Sequence, residues 1–468
     1  MPTQKLPAPQ PQDARAMPLA RPADPVMSAD TAPESLSSAE TSQRRLGLAT
    51  TTSIVIGNMV GSGIFLLPAS LAAYGAYSLW GWGFSTVGAL LLAWVFSSLS
   101  RRLPRAGGPY AYPREAFGDF VGFLVAWVYW LSILGTNAAI AVAFASYLSV
   151  FVPVLASQPL LGGLAAVAAV WVLTGVNIWG VHVAGNLQLV TVILKITPVL
   201  ALAVFGIFYF NPDFLTTSHV TGTALSSINT TAAFTMWAFL GLECATVPAG
   251  HVKNPEKTIP LATLLGTAIA AGFYILATTV VMGIIPASAL AHSNAPFADA
   301  ANALWGTWGG YVIAVAAIIS CFGALNGWLL MQGQFPQAVA KDGLFPKLFA
   351  ADSRRGMPVL GMVFSSVLAS LLILANYSHG LVAMFNVIIL LTTFFVLVPY
   401  MFCAMAEIVL GRGGARVKGI VFSCIAFAFA LWASAGTGED SLYWGTLLML
   451  VGLPIYVWQK RPKAIKTA

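Results

Sequence analysis

The chain has 468 residues, of which 58% are hydrophobic and only 8% charged, and its formal net charge is +7. A soluble domain carries about a quarter charged residues, so this composition excludes a protein that covers its own surface in water. It equally removes nucleic acid as the reason for the positive balance, because the basic residues are placed by a membrane topology rather than gathered in one patch. The four cysteines, Cys244, Cys321, Cys403 and Cys424, fall in apolar segments without metal or disulfide spacing and read as packing thiols.

Residues 1–45 are rich in Pro, Ala, Ser, Gln and Asp. They are too poor in apolar side chains to pack and are expected to form a disordered tail, with no secretory leader. Twelve apolar runs follow, each near the roughly 20 residues that a membrane helix needs. They centre on Ile56, Leu91, Leu131, Val170, Ile193, Phe239, Ile275, Ala317, Leu368, Leu391, Phe427 and Met449. The third (about 120–152) and the eighth (about 311–335) are long enough to tilt. Helices are required, because lipid cannot pair an open backbone.

On a twelve-helix model, 22 of the 23 Lys and Arg residues fall on one side. They occupy the two tails and the connections after the second, sixth, eighth and tenth runs. The opposite connections hold Asp213, Asp299, Glu439 and Asp440 and no basic residue. The positive-inside rule then puts both termini in the cytoplasm. The remaining base, Lys195, lies inside the fifth run. Glu407, near the inner end of the tenth, is expected to snorkel to the interface.

Two runs are interrupted. The first reads Gly57-Asn58-Met59-Val60-Gly61-Ser62-Gly63 and the sixth Trp237-Ala238-Phe239-Leu240-Gly241-Leu242-Glu243. Glycine is unfavourable inside helices and lets backbone approach a ligand. Interruptions at matching positions of two five-helix halves point to a mid-membrane binding site of the kind secondary carriers use. The amides of Gly61-Ser62-Gly63 suit a carboxylate, and freed carbonyls of the sixth run suit an ammonium. Glu243, an ionisable group at mid-membrane, is a functional candidate by its position alone. Burial favours its neutral form, which makes it a candidate proton sensor. The bland alternatives are a small-residue helix contact for the glycines and a protonated helix contact for Glu243.

The segments Asn58 to Pro68, Gly107 to Tyr112, Trp237 to Glu243, Val252 to Pro255 and Asp342 to Pro346 resemble the amino acid–polyamine–organocation superfamily. Within it they look most like the basic amino acid/polyamine antiporters, including the arginine/agmatine antiporters. The resemblance runs from about residue 45 to 411. It implies a LeuT-like fold of twelve transmembrane helices: an inverted 5+5 repeat (46–210 and 211–410), two further helices (411–460) and a cytoplasmic tail (461–468). It implies a substrate site at Asn58, Gly61, Ser62, Gly63, Asn137, Trp237, Ala238, Gly241 and Trp328, and an inner gate at Tyr129, Glu243 and Tyr400. Trp237 would close over the substrate and hold a cationic group on its indole face.

Lys195 resembles the helix-5 lysine that replaces sodium in other branches of the superfamily, and with Ile140 it departs from the arginine/agmatine pattern. The motif resemblance nonetheless makes the expected function exchange of a cationic amino acid, such as arginine, for its amine, such as agmatine, or for another amino acid. Proton-coupled transport of neutral amino acids, through Lys195 or Glu243, is the alternative. No P-loop, cofactor or metal cluster is expected, and the five histidines are scattered. The expected partners are small amines and amino acids, the lipid of an inner membrane and, in a homodimer, a second copy of the chain. An enzyme or receptor is disfavoured, since neither a cluster of catalytic side chains nor an added soluble domain is present.

Overall fold

In a computed structural model of the protein, the residues described are 46–61, 63–103, 108–179, 185–216, 222–246, 252–351, 353, 357–411 and 416–460. Both expected tails lie outside them. Helices account for nearly all of the described chain, with one isolated parallel bridge, Leu46 to Val252. In chain order they are α1 (Leu48–Met59), α2 (Leu67–Leu71), α3 (Tyr77–Arg102), α4 (Ala111–Phe117), α5 (Asp119–Leu148), α6 (Val154–Ser157), α7 (Pro159–Ile178), α8 (Gly185–Gly206) and α9 (Asp213–Thr216). There follow α10 (Ala224–Trp237), α11 (Pro255–Ile284), α12 (Ala287–Leu290), α13 (Pro296–Trp305), α14 (Thr307–Lys341), α15 (Val359–Ala375), α16 (Leu381–Leu410), α17 (Arg416–Ala435) and α18 (Glu439–Lys460).

Among the described residues, eight helices are long and apolar enough to cross a membrane: α3, α5, α7, α11, α14, α16, α17 and α18. The other four run centres fall on α1, α8, α15 and the gap after α10. The chain is a multi-pass membrane protein, and its outer surface explains why. Val87, Val172, Ile269, Val312, Leu371 and Val421 are all at least half exposed, an apolar cover that water would not tolerate. Trp80, Trp179, Trp308, Trp444 and Trp458 are exposed near helix ends, where amphipathic rings sit at the lipid–water boundary.

α5 forms the centre. Of its most apolar stretch 89% is buried, against 17% for α18 at the periphery. It packs on α16, α14 and α7, while α11 packs on α3 and α1. With no water to expel, such helices associate through close backbone approach. Gly135 of α5 faces Thr392 of α16 so tightly that a Cβ there would lie 2.0 Å from Thr392 Oγ1.

Charged contacts gather at one end of the bundle. Arg114 binds Asp119 at 3.0 Å and Asp342 at 3.1 Å, and Lys460 binds Asp119 at 2.9 Å. The start of α5 and the ends of α14 and α18 therefore meet at one face, the basic end. Exposed pairs of this kind contribute only about 0.2–1 kcal/mol each. Tyr110, in a turn at the same end, donates to Asp342 Oδ2 at 2.9 Å. Burial first, and then that carboxylate, hold its phenol well above the usual range, so it remains a donor at physiological pH.

The Gly135 contact can be checked directly. Gly135→Ala overpacks the α5–α16 seam and is expected to cost about 1–3 kcal/mol. Gly175→Ala in α7, where a Cβ meets nothing within 4 Å, is expected to be neutral or mildly stabilising. Thermal unfolding of the two purified variants in detergent compares them, and equal midpoints would discount the seam.

Candidate functional site

Two helix interruptions lie against each other. α1 ends at Met59, and Val60 (φ −77°, ψ 69°) makes an inverse γ-turn in which the Gly61 amide donates to Met59 O at 2.8 Å. The helical path resumes at Leu67. The Gly61 carbonyl accepts from Ser320 Oγ at 3.2 Å. α10 ends at Trp237; Gly241, at φ +100°, turns the chain into a 3₁₀ segment, Leu242–Thr246. A side chain at Gly241 would be strained and would also meet Asn58 Cβ at 3.3 Å. Gly63 fits against the other break in the same way, 3.3 Å from Trp237 and 3.4 Å from Ala238 by an added Cβ. Behind the second break, Phe239 packs edge-on to Trp82 and Tyr274 at 6.0 and 5.9 Å. The apolar run centred on Phe239 is thus a break wrapped in aromatics rather than a continuous helix.

Between the breaks is a cavity of about 20 Å³ lined by Asn58, Met59, Gly61, Gly63, Thr136, Ile140, Trp237, Leu240 and Trp328. That is room for about one water, so a larger ligand enters only if the walls part. Trp237 is 4% exposed, its indole N–H has no partner among the described residues, and its ring stands edge-on to Phe385 at 5.2 Å. Thr136 and Ile140 are one turn apart on α5 and share its inward face.

Asn137, one step round that helix, faces α14 instead. Its Nδ2 donates to Trp328 O at 3.3 Å and to Gln332 Oε1 at 2.8 Å, and Gln332 bonds Ser366 at 2.8 Å. It buttresses Trp328 rather than touching the cavity. Of the expected site, the structure brings Asn58, Gly61, Gly63, Trp237 and Trp328 to one cavity, with Ala238 and Gly241 in the break beside it. The Gly61 amide is engaged within its own turn, so it is not free for a carboxylate as the sequence suggested. Ser62 lies outside the described residues. Lys195 is in α8, but its side chain is likewise outside them. Thr136, Met59 and Leu240 were not legible as lining residues. Each adjoins a residue that was singled out, and only the helical rotation decides which of two neighbours faces inward.

Toward the basic end, Glu243 is 1% exposed and both of its oxygens are occupied. Tyr129 donates to Oε1 at 2.6 Å and Tyr400 to Oε2 at 2.5 Å. Such lengths are typical of hydroxyls on a carboxylate. Phe335 covers Tyr129 at 5.0 Å and Phe96 covers Tyr400 at 5.2 Å. Tyr129 precedes Thr136 by about two turns, or roughly 10 Å, so the cluster plugs the space between the cavity and the basic end. Glu407 is not the snorkelling charge expected. It is 2% exposed and bound to Ser98 and Arg102, because α3 covers the end of α16. No group of three metal-ligating side chains occurs among the described residues.

The profile of the amino acid permease family matches residues 46–452. The cadaverine/lysine antiporter of Escherichia coli K12 is 37% identical over 345 residues, covering 72% of this chain and 77% of the relative. The putrescine transporter PotE of the same strain is 33% identical over 420 residues, 88% of this chain and 95% of the relative. Its Haemophilus influenzae counterpart is 32% identical over the same length. These relatives are transporters, not enzymes.

Glu243→Gln is a direct probe of the plug. The amide is nearly isosteric but puts an NH2 donor where one carboxylate oxygen stood, so the tyrosine on that side must turn its hydroxyl from donor to acceptor to stay paired. Exchanging hydrogen bonds to a charged group for neutral ones is expected to cost about 1 kcal/mol of stability. The substitution also removes the titratable carboxyl, and the pH profile of transport in proteoliposomes is expected to flatten. An unchanged profile beside an unaltered Lys195 would discard the proton-sensing role.

Proposed function

The chain belongs to the amino acid permease family and, within it, to the basic amino acid/polyamine antiporters, and from that premise we propose that it exchanges a cationic amino acid for a decarboxylated amine by alternating access. The observation that carries the proposal is the cavity between two helix breaks, walled by Trp237 and Trp328 and plugged by Tyr129, Glu243 and Tyr400. The names of the relatives favour lysine with cadaverine, or putrescine, as the class of pair. Arginine with agmatine is the finer reading that the motif resemblance favours.

A cationic amino acid and its amine share one end, an ammonium or guanidinium on an aliphatic stem, and differ at the carboxylate. Trp237 and Trp328 suit the shared end, since a desolvated cation on an indole face gains about 2 kcal/mol. Glu243 with its two tyrosines serves as the inner gate, and Lys195 takes the place of a coupled sodium. The proposal includes twelve spans, an inverted repeat of five helices, and an inner-membrane orientation with the basic end and both termini in the cytoplasm.

Charge gives the test. A basic amino acid carries one positive charge and its amine two, so each exchange moves one net charge, worth about 2.3 kcal/mol per 100 mV. In amine-loaded proteoliposomes, an inside-positive potential set with potassium and valinomycin is expected to speed uptake of lysine or arginine, and an inside-negative one to slow it. The panel of lysine, arginine, ornithine, cadaverine, putrescine, agmatine, alanine and methionine as counter-substrates ranks the pairs. Equal counterflow with alanine or methionine and no response to potential would favour the neutral, proton-coupled alternative.

The aromatic wall has its own readout in the same vesicles. Trp237→Leu is expected to weaken cationic substrates by roughly 1–2 kcal/mol, about five- to thirtyfold in KM, and Trp237→Phe by less. If both variants keep the wild-type KM for every cation that is carried, Trp237 is packing and not a substrate contact.

A further inference from the structure

The plug is reached from α16 by Tyr400, and the same helix makes further polar contacts closer to its carboxyl end. Cys403 Sγ donates to Pro109 O at 3.2 Å. Glu407, two turns beyond Tyr400 on the same face, directs its Oε1 at Ser98 Oγ (2.8 Å) and Arg102 Nη2 (3.2 Å). Ser98 and Arg102 are themselves one turn apart on α3, so both present to one carboxylate. Glu407 Oε2 is buried and has no partner among the described residues. The guanidinium also lies against the carboxyl end of α16, 3.1 Å from where a Cβ on Gly411 would stand. A cation is favoured at that end of a helix.

The asymmetry of the pair bears on its role. The Glu407 side chain is 1% exposed and that of Arg102 33%. Desolvation offsets much of the attraction in a buried ion pair, so such a pair is a weak permanent staple. It discriminates strongly, however, between a geometry in which the carboxylate is met and one in which it is left alone. α16 is stiff over the two turns that separate Tyr400 from Glu407. It cannot leave α3 at Glu407 and keep Tyr400 seated on Glu243 without bending.

We infer that Glu407 is a positioning residue for the gate: with Arg102 and Ser98 it forms a second clasp between α16 and α3, and release of Tyr400 from Glu243 requires that clasp to open. The inference rests on the reading of Tyr129, Glu243 and Tyr400 as a gate. It assigns a working role to a carboxylate that neither lines the cavity nor belongs to the plug.

Native Cys403, buried between Tyr400 and Glu407, reports the separation of α16 from its neighbours. Alkylation of the full-length protein in proteoliposomes, resolved by peptide mass spectrometry, gives its rate beside that of Cys321, which is buried on α14. Glu407→Gln and Arg102→Met are expected to raise the Cys403 rate by about threefold or more while Cys321 stays constant. Turnover is expected to change with them, and substrate KM to stay within about twofold. Exchanging the charges, Arg102→Glu with Glu407→Arg, is expected to bring Cys403 back toward the wild-type rate. Ser98→Ala keeps the ion pair and gives a smaller rise in the same direction, which covers the case in which Glu407→Gln does not fold.

Unchanged Cys403 labelling in Glu407→Gln, or in Ser98→Ala where the former cannot be made, overturns the clasp. So does a parallel rise at Cys321, which would mean general loosening. Glu243→Gln is run alongside. If it too leaves Cys403 unmoved, the gate reading itself fails. If it raises Cys403 labelling while Glu407→Gln does not, the clasp alone is wrong.

Discussion

Within a bilayer, a chain can leave its helix only where protein meets the amides and carbonyls that are released. Both interruptions here obey that constraint by turning on themselves and on each other. The Gly61 amide returns to Met59 O and the Gly61 carbonyl takes the Ser320 hydroxyl. In the second break, Leu240 N donates to Trp237 O at 3.1 Å and Cys244 N to Gly241 O at 3.0 Å. The interlocking of Gly63 with Trp237 and of Gly241 with Asn58 excludes lipid from this polar backbone. The cavity is what remains between two breaks that glycine allows to approach but that no larger residue could fill.

The same requirement explains why one helix spans the whole device. α16 places Phe385 against Trp237 and Asn386 on Ser70 at one end. Thr392 lies on Gly135 in the middle, and Tyr400, Cys403 and Glu407 meet the plug, the Pro109 turn and α3 at the other. Tyr400, Cys403 and Glu407 recur at helical spacing, so a single face carries the inner contacts. α16 thus touches the second break at both ends and the short helix that follows the first, and Pro399, which cannot donate a helix hydrogen bond, divides its Phe385 end from its Tyr400 end.

Polarity within the site is graded. The cavity wall carries backbone, hydroxyl, amide and aromatic groups, and the buried carboxylates lie beyond it at Glu243 and Glu407. Such a wall suits a carrier of cations, because binding must be favourable enough to admit the ligand and weak enough to let it go. A carboxylate in direct contact with the ligand would bind it more tightly. In the proposed exchanger, a carboxylate one layer away, bound by two phenols, changes partners as the path opens.

How much was legible in the sequence follows from which properties are local. Hydropathy and the segregation of Lys and Arg are properties of contiguous segments, and they identified a multi-pass membrane protein and the segments that become its helices. The glycines around Gly61 and Gly241 marked the interruptions, because a broken helix needs residues that tolerate unusual backbone angles wherever it is packed. The motif resemblance identified the family and gathered Trp237, Trp328, Tyr129, Glu243 and Tyr400 as candidates. The rotation of α5, which presents Thr136 and Ile140 to the cavity and turns Asn137 toward Gln332, was decided only by tertiary packing. So were the closure of the Gly61 amide within its own turn and the burial of Glu407 beneath α3. The first and last of these depend on which neighbour arrives from a distant part of the chain: Asn137 meets a residue 195 positions away and Glu407 one 309 positions away. The Gly61 turn is local, but the path taken through the break is held by Ser320 of α14. No local pattern encodes partners that only the packing of helices brings together.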